Sequence, residues 1–157
     1  MDKEKAKRGN SDHSYPSGEA GKGFSVTSAL CVDAACSGNP GQMEYRGIHL
    51  PSGQQVFHFG PIQGTNNIGE FLAIVHGLAL MEQKGLSMPI YSDSLTGRAW
   101  VRDRKAKTTL KRTPKTAEAL DLVARAEKWL REHPRHAPVL KWETTEWGEI
   151  PADFGRK

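Results

Sequence analysis

The sequence predicts an α/β fold: a five-stranded mixed sheet, three antiparallel strands followed by strand–helix units, flanked by helices. Three observations lead there. Between residues 25 and 60, three short strand-like stretches are separated by the turn sequences Gly38-Asn39-Pro40-Gly41 and Pro51-Ser52-Gly53, the pattern of an antiparallel meander. After residue 64 the pattern changes to longer stretches with apolar residues at helical spacing. Two further short apolar runs, in "MPIYSDS" and "PVLKWETT", alternate with those helices.

Each element has its own justification. Residues 1–23 are rich in Gly, Ser, Lys and Glu without periodicity, and are expected to be a disordered polar tail. Residues 24–157 are expected to form one domain, with strands at about 25–36, 42–50 and 54–60. In "GTNNIGEFLAIVHGLALMEQKG", Phe71, Ile74, Val75 and Leu78 recur at helical spacing, and Gly85 supplies the stop. "MPIYSDS" reads as a buried strand and "LTGRAWVRD" as a helix. Pro114 breaks the chain before the amphipathic helix "TAEALDLVARAEKWLREH". "PVLKWETT" is a strand, and "WGEIPADFGRK" has room for one or two helical turns.

The chain of 157 residues is long enough for one domain with a proper core, and its 37% hydrophobic and 25% charged residues suit a polar surface. Nothing in it approaches the run of ~20 apolar residues that a membrane span requires, and the first residues lack the apolar centre of a secretory signal. No membrane association and a cytoplasmic location are therefore expected, and the chain is expected to be a monomer. Cys31 and Cys36 lie five residues apart on one strand, roughly 16 Å, too far for a disulfide. The net charge of +4 is concentrated in residues 102–115, where seven Lys or Arg face one Asp103. Alone, such a run is a solvated face. It gains meaning beside a site that handles phosphates.

Four carboxylates stand out. Asp33 sits inside the first strand, where it has no capping task and where burying a lone charge is costly. Glu70 lies in the first turn of the first helix, and Asn67-x-x-Glu70 also fits a capping box. Asp93 lies at the carboxyl end of the fourth strand, between two serines, where it has the alternative of capping the next helix. Asp153 lies in the last expected helical turns with Glu149 four residues before it, which also suits an acidic helix face. If the first and fourth strands are parallel neighbours, Asp33 and Asp93 stand side by side at the strand ends, with Glu70 and Asp153 approaching from helices. Such a cluster repels itself unless divalent cations neutralise it. A set of oxygen ligands without Cys or His selects Mg²⁺ or Mn²⁺. Several carboxylates around two hard ions suit phosphoryl transfer.

On "VDAACSGNPG", "GTNNIGEFLAIVHGLAL", "IYSDSLTGRAWV", "RKAKTTLKR" and "LKWETTEWGEIPADFGRK", the chain resembles the catalytic domain of type 1 ribonuclease H over about residues 26–157. The resemblance implies a ribonuclease H-like fold, two Mg²⁺ ions per site with Mn²⁺ as the alternative, and an RNA–DNA hybrid as the partner. It implies hydrolysis of the RNA strand to 5′-phosphate and 3′-hydroxyl ends. Asp33, Glu70, Asp93 and Asp153 match the metal-binding carboxylates, and Glu149 matches a residue that assists metal and product handling. Gly38, Asn39, Pro40 and Asn66 match groups that read RNA 2′-hydroxyls. Thr65, Asn67, Thr108 and Thr109 match a pocket for a DNA phosphate, and Trp100 and Thr144 a channel wall along the DNA strand. Where the family usually has Gln, this sequence has Leu95, so one minor-groove hydrogen-bonding side chain is missing.

Two other functions compete. A DNA-cleaving or strand-transferring nuclease is opposed by the 2′-hydroxyl readers Asn39 and Asn66. A non-catalytic hybrid-binding module is opposed by the presence of all four carboxylates. His76, Trp129, Trp142 and Trp147 are expected to serve packing.

Overall fold

The structure is a computed structural model and describes residues 28–155. The expected tail, the start of the first expected strand and residues 156–157 lie outside the described residues. The elements run β1 (Ala29–Gly38), β2 (Gly41–Leu50), β3 (Gln55–Gly64), α1 (Asn66–Lys84), β4 (Ile90–Ser92), α2 (Leu95–Asp103), α3 (Ala117–Glu132), β5 (Val139–Lys141) and α4 (Thr144–Trp147). The sheet order is β3-β2-β1-β4-β5. β1–β2 and β2–β3 pair antiparallel, while β1–β4 and β4–β5 pair parallel. The five-stranded mixed α/β sheet read from the sequence is therefore the one the chain forms.

β1 is the central strand and both its faces are covered, so its first seven residues are all buried. The strand's alternation divides the core. Leu30, Val32 and Ala34 join Phe71, Ile74 and Leu78 of α1 on one face. Ala29 and Cys31 join Ile48, Leu50, Trp142, Ile150 and Ala152 on the other. The second cluster is where the end of the described chain docks.

α1 lies close against the sheet because Gly69 lacks a side chain. A Cβ at that position would stand 2.9 Å from both Ala34 Cβ and Met43 Cγ. The helix opens with Thr65, whose hydroxyl accepts from the Ile68 N–H at 3.2 Å, and closes at Gly85, which has φ 67°. Gly85 is the stop that the sequence marks.

Two expectations need correction. Glu70 is not in a capping box: Thr65 is the cap, so Glu70 is the fifth helical residue and falls in the second turn. The terminal stretch forms no helix at Asp153. The short helix α4 comes earlier, and Gly148 and Pro151 interrupt any continuation. Glu149 and Asp153 are therefore not an i, i+4 pair on a helix face.

Candidate metal centre and adjoining cleft

β4 ends at Ser92, and the chain turns directly into α2. The pairing of β1 with β4 aligns Cys31 with Tyr91, so Asp33, two residues further along β1, stands level with Asp93, one residue past the end of β4. Ser94 caps α2 by accepting from the Gly97 N–H at 2.9 Å. Capping is thus done by Ser94, and Asp93 is not the cap. From the helix side comes Glu70. Gly97 lets α2 approach it closely, since a Cβ there would lie 3.1 Å from Glu70 Cβ.

Asp33, Glu70 and Asp93 each offer a carboxylate oxygen, and these atoms all lie within 4.8 Å of one another. Asp33 is 0% and Glu70 3% exposed. Two like charges 4 Å apart repel by about 4 kcal/mol at the effective dielectric near a protein surface. Three buried or half-buried carboxylates at this spacing fit a hard divalent cation, whose charge offsets the repulsion and whose ligands are oxygens. The field of the cluster reaches Cys31: burial first, and the Asp93 charge second, push its thiol well above the ordinary cysteine range. Cys31 is a protonated, buried thiol, and both cysteines are free.

Asp153 is not one of the three grouped carboxylates. It lies on the terminal segment, whose backbone is held by Arg46 of β2: Nε donates to the Ala152 carbonyl at 2.8 Å and Nη2 to the Asp153 carbonyl at 2.7 Å. Glu149 is exposed, immediately before the buried Ile150.

At the start of α1, the helix that carries Glu70, a cleft of about 580 Å³ is lined by Asn39, Pro40, Thr65, Asn67, Trp100, Thr108 and Thr109, with Lys107 and Lys111 on its wall. Seven of the residues singled out in the sequence thus come together. The hydroxyls of Thr65 and Thr108 each accept a backbone N–H, from Ile68 and Leu110, both at 3.2 Å. With that role filled, their O–H protons remain for an acceptor in the cleft. Asn39 Oδ1 accepts from the Asn66 N–H at 3.1 Å, which ties the β1–β2 turn to the start of α1 and leaves the Asn39 amide NH₂ as a donor. Trp100 is buried against Phe71, ring centroids 6.1 Å apart. Gly38 and Asn66 flank the cleft residues Asn39, Thr65 and Asn67 in the chain. Thr144 is exposed on α4 and is not among the lining residues. Leu95 opens α2 and is 75% exposed.

The residues read as packing groups do pack. His76 Nδ1 and the Tyr45 hydroxyl share a hydrogen bond of 2.8 Å, and the His76 ring stacks on Phe57 at 4.0 Å. Trp142 is buried, Trp147 lies edge-on to it at 5.0 Å, and Trp129 stacks on His133.

Sequence reasoning missed two residues. Glu127 of α3 is buried and accepts from the Ala106 N–H at 2.8 Å, anchoring the stretch that carries Thr108 and Thr109. Its signal was a carboxylate in line with Val123 and Leu130, on the apolar stripe of its helix. Arg46 was the other, a charge sharing the strand parity of Ile48 and Leu50.

Among known proteins, the chain is 34% identical over 67 residues to the ribonuclease H of Neorickettsia sennetsu. The matched stretch is 41% of this chain and 44% of that protein, so the match spans less than half the length of the curated relative. No protein-family model matches. Similar solved structures include the N-terminal RNase H domain of a Mycobacterium tuberculosis protein, at 19% identity, covering 74% of this chain and 86% of that one, with a TM-score of 0.47. Another is RNase H1 of Halobacterium salinarum, at 19% identity, covering 73% and 83%, with a TM-score of 0.48.

Proposed function

We propose that the chain hydrolyses the RNA strand of RNA–DNA hybrids, using two divalent ions, Mg²⁺ or Mn²⁺, to give 5′-phosphate and 3′-hydroxyl ends. The observation that carries this reading is the carboxylate cluster of Asp33, Glu70 and Asp93 at the carboxyl end of β4, together with a polar cleft with lysines on its wall. The partial identity to a ribonuclease H supports it.

In this reading Asp33, Glu70, Asp93 and Asp153 hold the ions. When bound, such ions supply the Lewis acidity that activates the attacking water and offsets charge on the leaving 3′-oxygen. The chain's own residues do the recognition. Asn39, with Gly38, Pro40 and Asn66 around it, contacts 2′-hydroxyls of the RNA strand, the feature that tells RNA from DNA. The Thr65 and Thr108 hydroxyls, with Asn67 and Thr109, donate to a phosphate of the DNA strand. Trp100 gives that strand a flat apolar wall, and Thr144 contacts it further along. Glu149, exposed on the terminal segment, assists the exchange of product and metal.

The test is cleavage of an end-labelled hybrid beside duplex DNA and duplex RNA of the same sequence, with Mg²⁺ and with chelator, for the wild type and Asp93→Asn. The expected result is metal-dependent cleavage of the hybrid's RNA strand alone, reduced by several orders of magnitude in Asp93→Asn while hybrid binding survives. Cleavage of all-DNA duplex would favour the DNA-nuclease alternative. An Asp93→Asn rate near wild type would remove the carboxylate cluster from the chemistry.

A further inference from the structure

Arg46 lies on β2 directly opposite Asp33 of β1. Paired residues of antiparallel strands project to the same face. Here it is the face on which Ile48 and Leu50 pack with Ile150 and Ala152 of the terminal segment. From that position the guanidinium makes a fork onto the backbone, with Nε on the Ala152 carbonyl at 2.8 Å and Nη2 on the Asp153 carbonyl at 2.7 Å. Its central carbon stands 4.7 Å from the centroid of the Phe154 ring. One side chain of the sheet thus grips three consecutive residues, and the middle one bears a carboxylate. Phe154 is in turn 6.4 Å from the ring of His58, which pairs with Glu44 at 2.8 Å.

Within the terminal segment the Gly155 N–H donates to Asp153 Oδ2 at 3.0 Å. The segment is neither strand nor helix after α4. A turn bond from the Asp153 N–H to the Ile150 carbonyl at 2.9 Å and the burial of Ile150 and Ala152 hold it to the sheet. Apolar anchors set depth, whereas two parallel N–H···O bonds set orientation. Lysine cannot replace the fork, because its ammonium is a point charge without the planar pair of donors.

We infer that Arg46 is the positioning residue that brings Asp153 to Asp33, so that the backbone carrying the fourth carboxylate is placed by the second strand. This rests on the proposed role of Asp153 as a metal ligand.

Mn²⁺ binding by calorimetry on the full chain without nucleic acid, together with amide hydrogen exchange, tests it. Arg46→Lys should weaken binding of the weaker Mn²⁺ ion at least tenfold and speed exchange of amides 152–154 by a similar factor, with β1 and α1 unchanged. Arg46→Met separates positioning from charge. Removing a positive charge near carboxylates would by itself tighten Mn²⁺ binding, whereas loss of positioning weakens it. In an Asp153→Asn background, Arg46→Lys should cost nothing further. Unchanged or tighter Mn²⁺ binding in both Arg46 variants overturns the inference, as does an equal loss in the Asp153→Asn background. Should Arg46→Lys disturb β1, Phe154→Leu loosens the same grip from the other side and is held to the same outcomes. A wild type that binds no Mn²⁺ overturns the metal-centre reading itself. A wild type and Arg46 variants that bind alike overturn only the role of Arg46.

Discussion

The carboxylate of Glu127 on α3 accepts a hydrogen bond from the backbone N–H of Ala106 at 2.8 Å. Ala106 is buried, and it begins the stretch that leads through Lys107 to Thr108 and Thr109. The wall of the cleft that carries the two threonines therefore depends on a bond made outside it. Lys105 Nζ lies 3.9 Å from the same carboxylate, but it is largely exposed and contributes little.

Replacing Glu127 by Ala leaves a buried N–H without an acceptor, a loss of about 1–3 kcal/mol. Urea denaturation should report that loss. The proposed hybrid binding should weaken as well, because Thr108 and Thr109 lose their support. Glu127→Gln keeps an acceptor oxygen and should recover most of both. If the Ala variant is destabilised while hybrid affinity is unchanged, Glu127 supports the fold and not the cleft.

The closeness of α1 to β1 at Gly69 gives a second expectation. Ala at this position gains about 1 kcal/mol of helix propensity. It also sets a methyl 2.9 Å from Ala34 Cβ, which has no rotamer by which to escape. Overpacking of this kind costs about 1–3 kcal/mol, so the clash should win. The helix must then move away from β1, and Glu70 moves with it, next to Gly69. Gly69→Ala should lower the denaturation midpoint and weaken Mn²⁺ binding together. A stable variant with full Mn²⁺ affinity would mean the packing there is slack.

Much of this arrangement was legible in the sequence, for a definite physical reason. Turn residues, helical periodicity and the helix stop at Gly85 are local signals, and they located the strands and helices. Asp33 was conspicuous because a strand interior gives a carboxylate nothing local to do. The terminal segment departs from the expected helix because "WGEIPADFGRK" has polar and apolar residues at spacings that suit a helix, while its backbone is bonded to Arg46, more than 100 residues earlier. The cap of α1 was misread by two residues because Thr65, Asn66 and Asn67 are all good caps, and only the backbone decides among them. Glu127 and Arg46 act through partners distant in sequence, which local reading cannot supply.

Half-buried histidines make stability depend on pH. Burial holds His76 and His49 below the ordinary histidine range in the folded chain. Between the folded and unfolded pKa values the unfolded chain binds more protons, so stability rises with pH in that window. The contribution is complete above the unfolded value near ~6.5 and is lost as pH falls below it. Thermal unfolding from about pH 7.5 to about pH 5, a range that brackets that value, should show the midpoint dropping. His76→Phe, which keeps an aromatic ring against Phe57, should flatten part of that slope. An unaltered slope would assign the pH dependence to other groups.

The last expectation separates geometry from charge in the cleft. Thr108 and Thr109 are short neutral donors, whereas Lys107 and Lys111 bring charge on long flexible stems to the same wall. A phosphate reaches the threonine hydroxyls only if the strand carrying it has the right spacing, so their contribution should depend on the kind of duplex. Lysines attract any polyanion, and counterion release makes their contribution depend on salt and not on strand identity. Replacing both threonines by Ala should weaken binding to RNA–DNA hybrid more than to duplex RNA, with each hydrogen bond to a charged phosphate worth about 1.5–3 kcal/mol. The salt slope should hardly change. Neutralising Lys107 and Lys111 should instead lower affinity for hybrid, duplex DNA and duplex RNA alike, and reduce the slope of log K against log salt by about 1 for each phosphate that is no longer neutralised. A salt titration of all three duplexes against both variants reads the two effects separately. If the threonine pair weakens all three equally, the hydroxyls act as generic polar surface, and strand discrimination falls to the proposed 2′-hydroxyl contacts around Asn39 and Asn66.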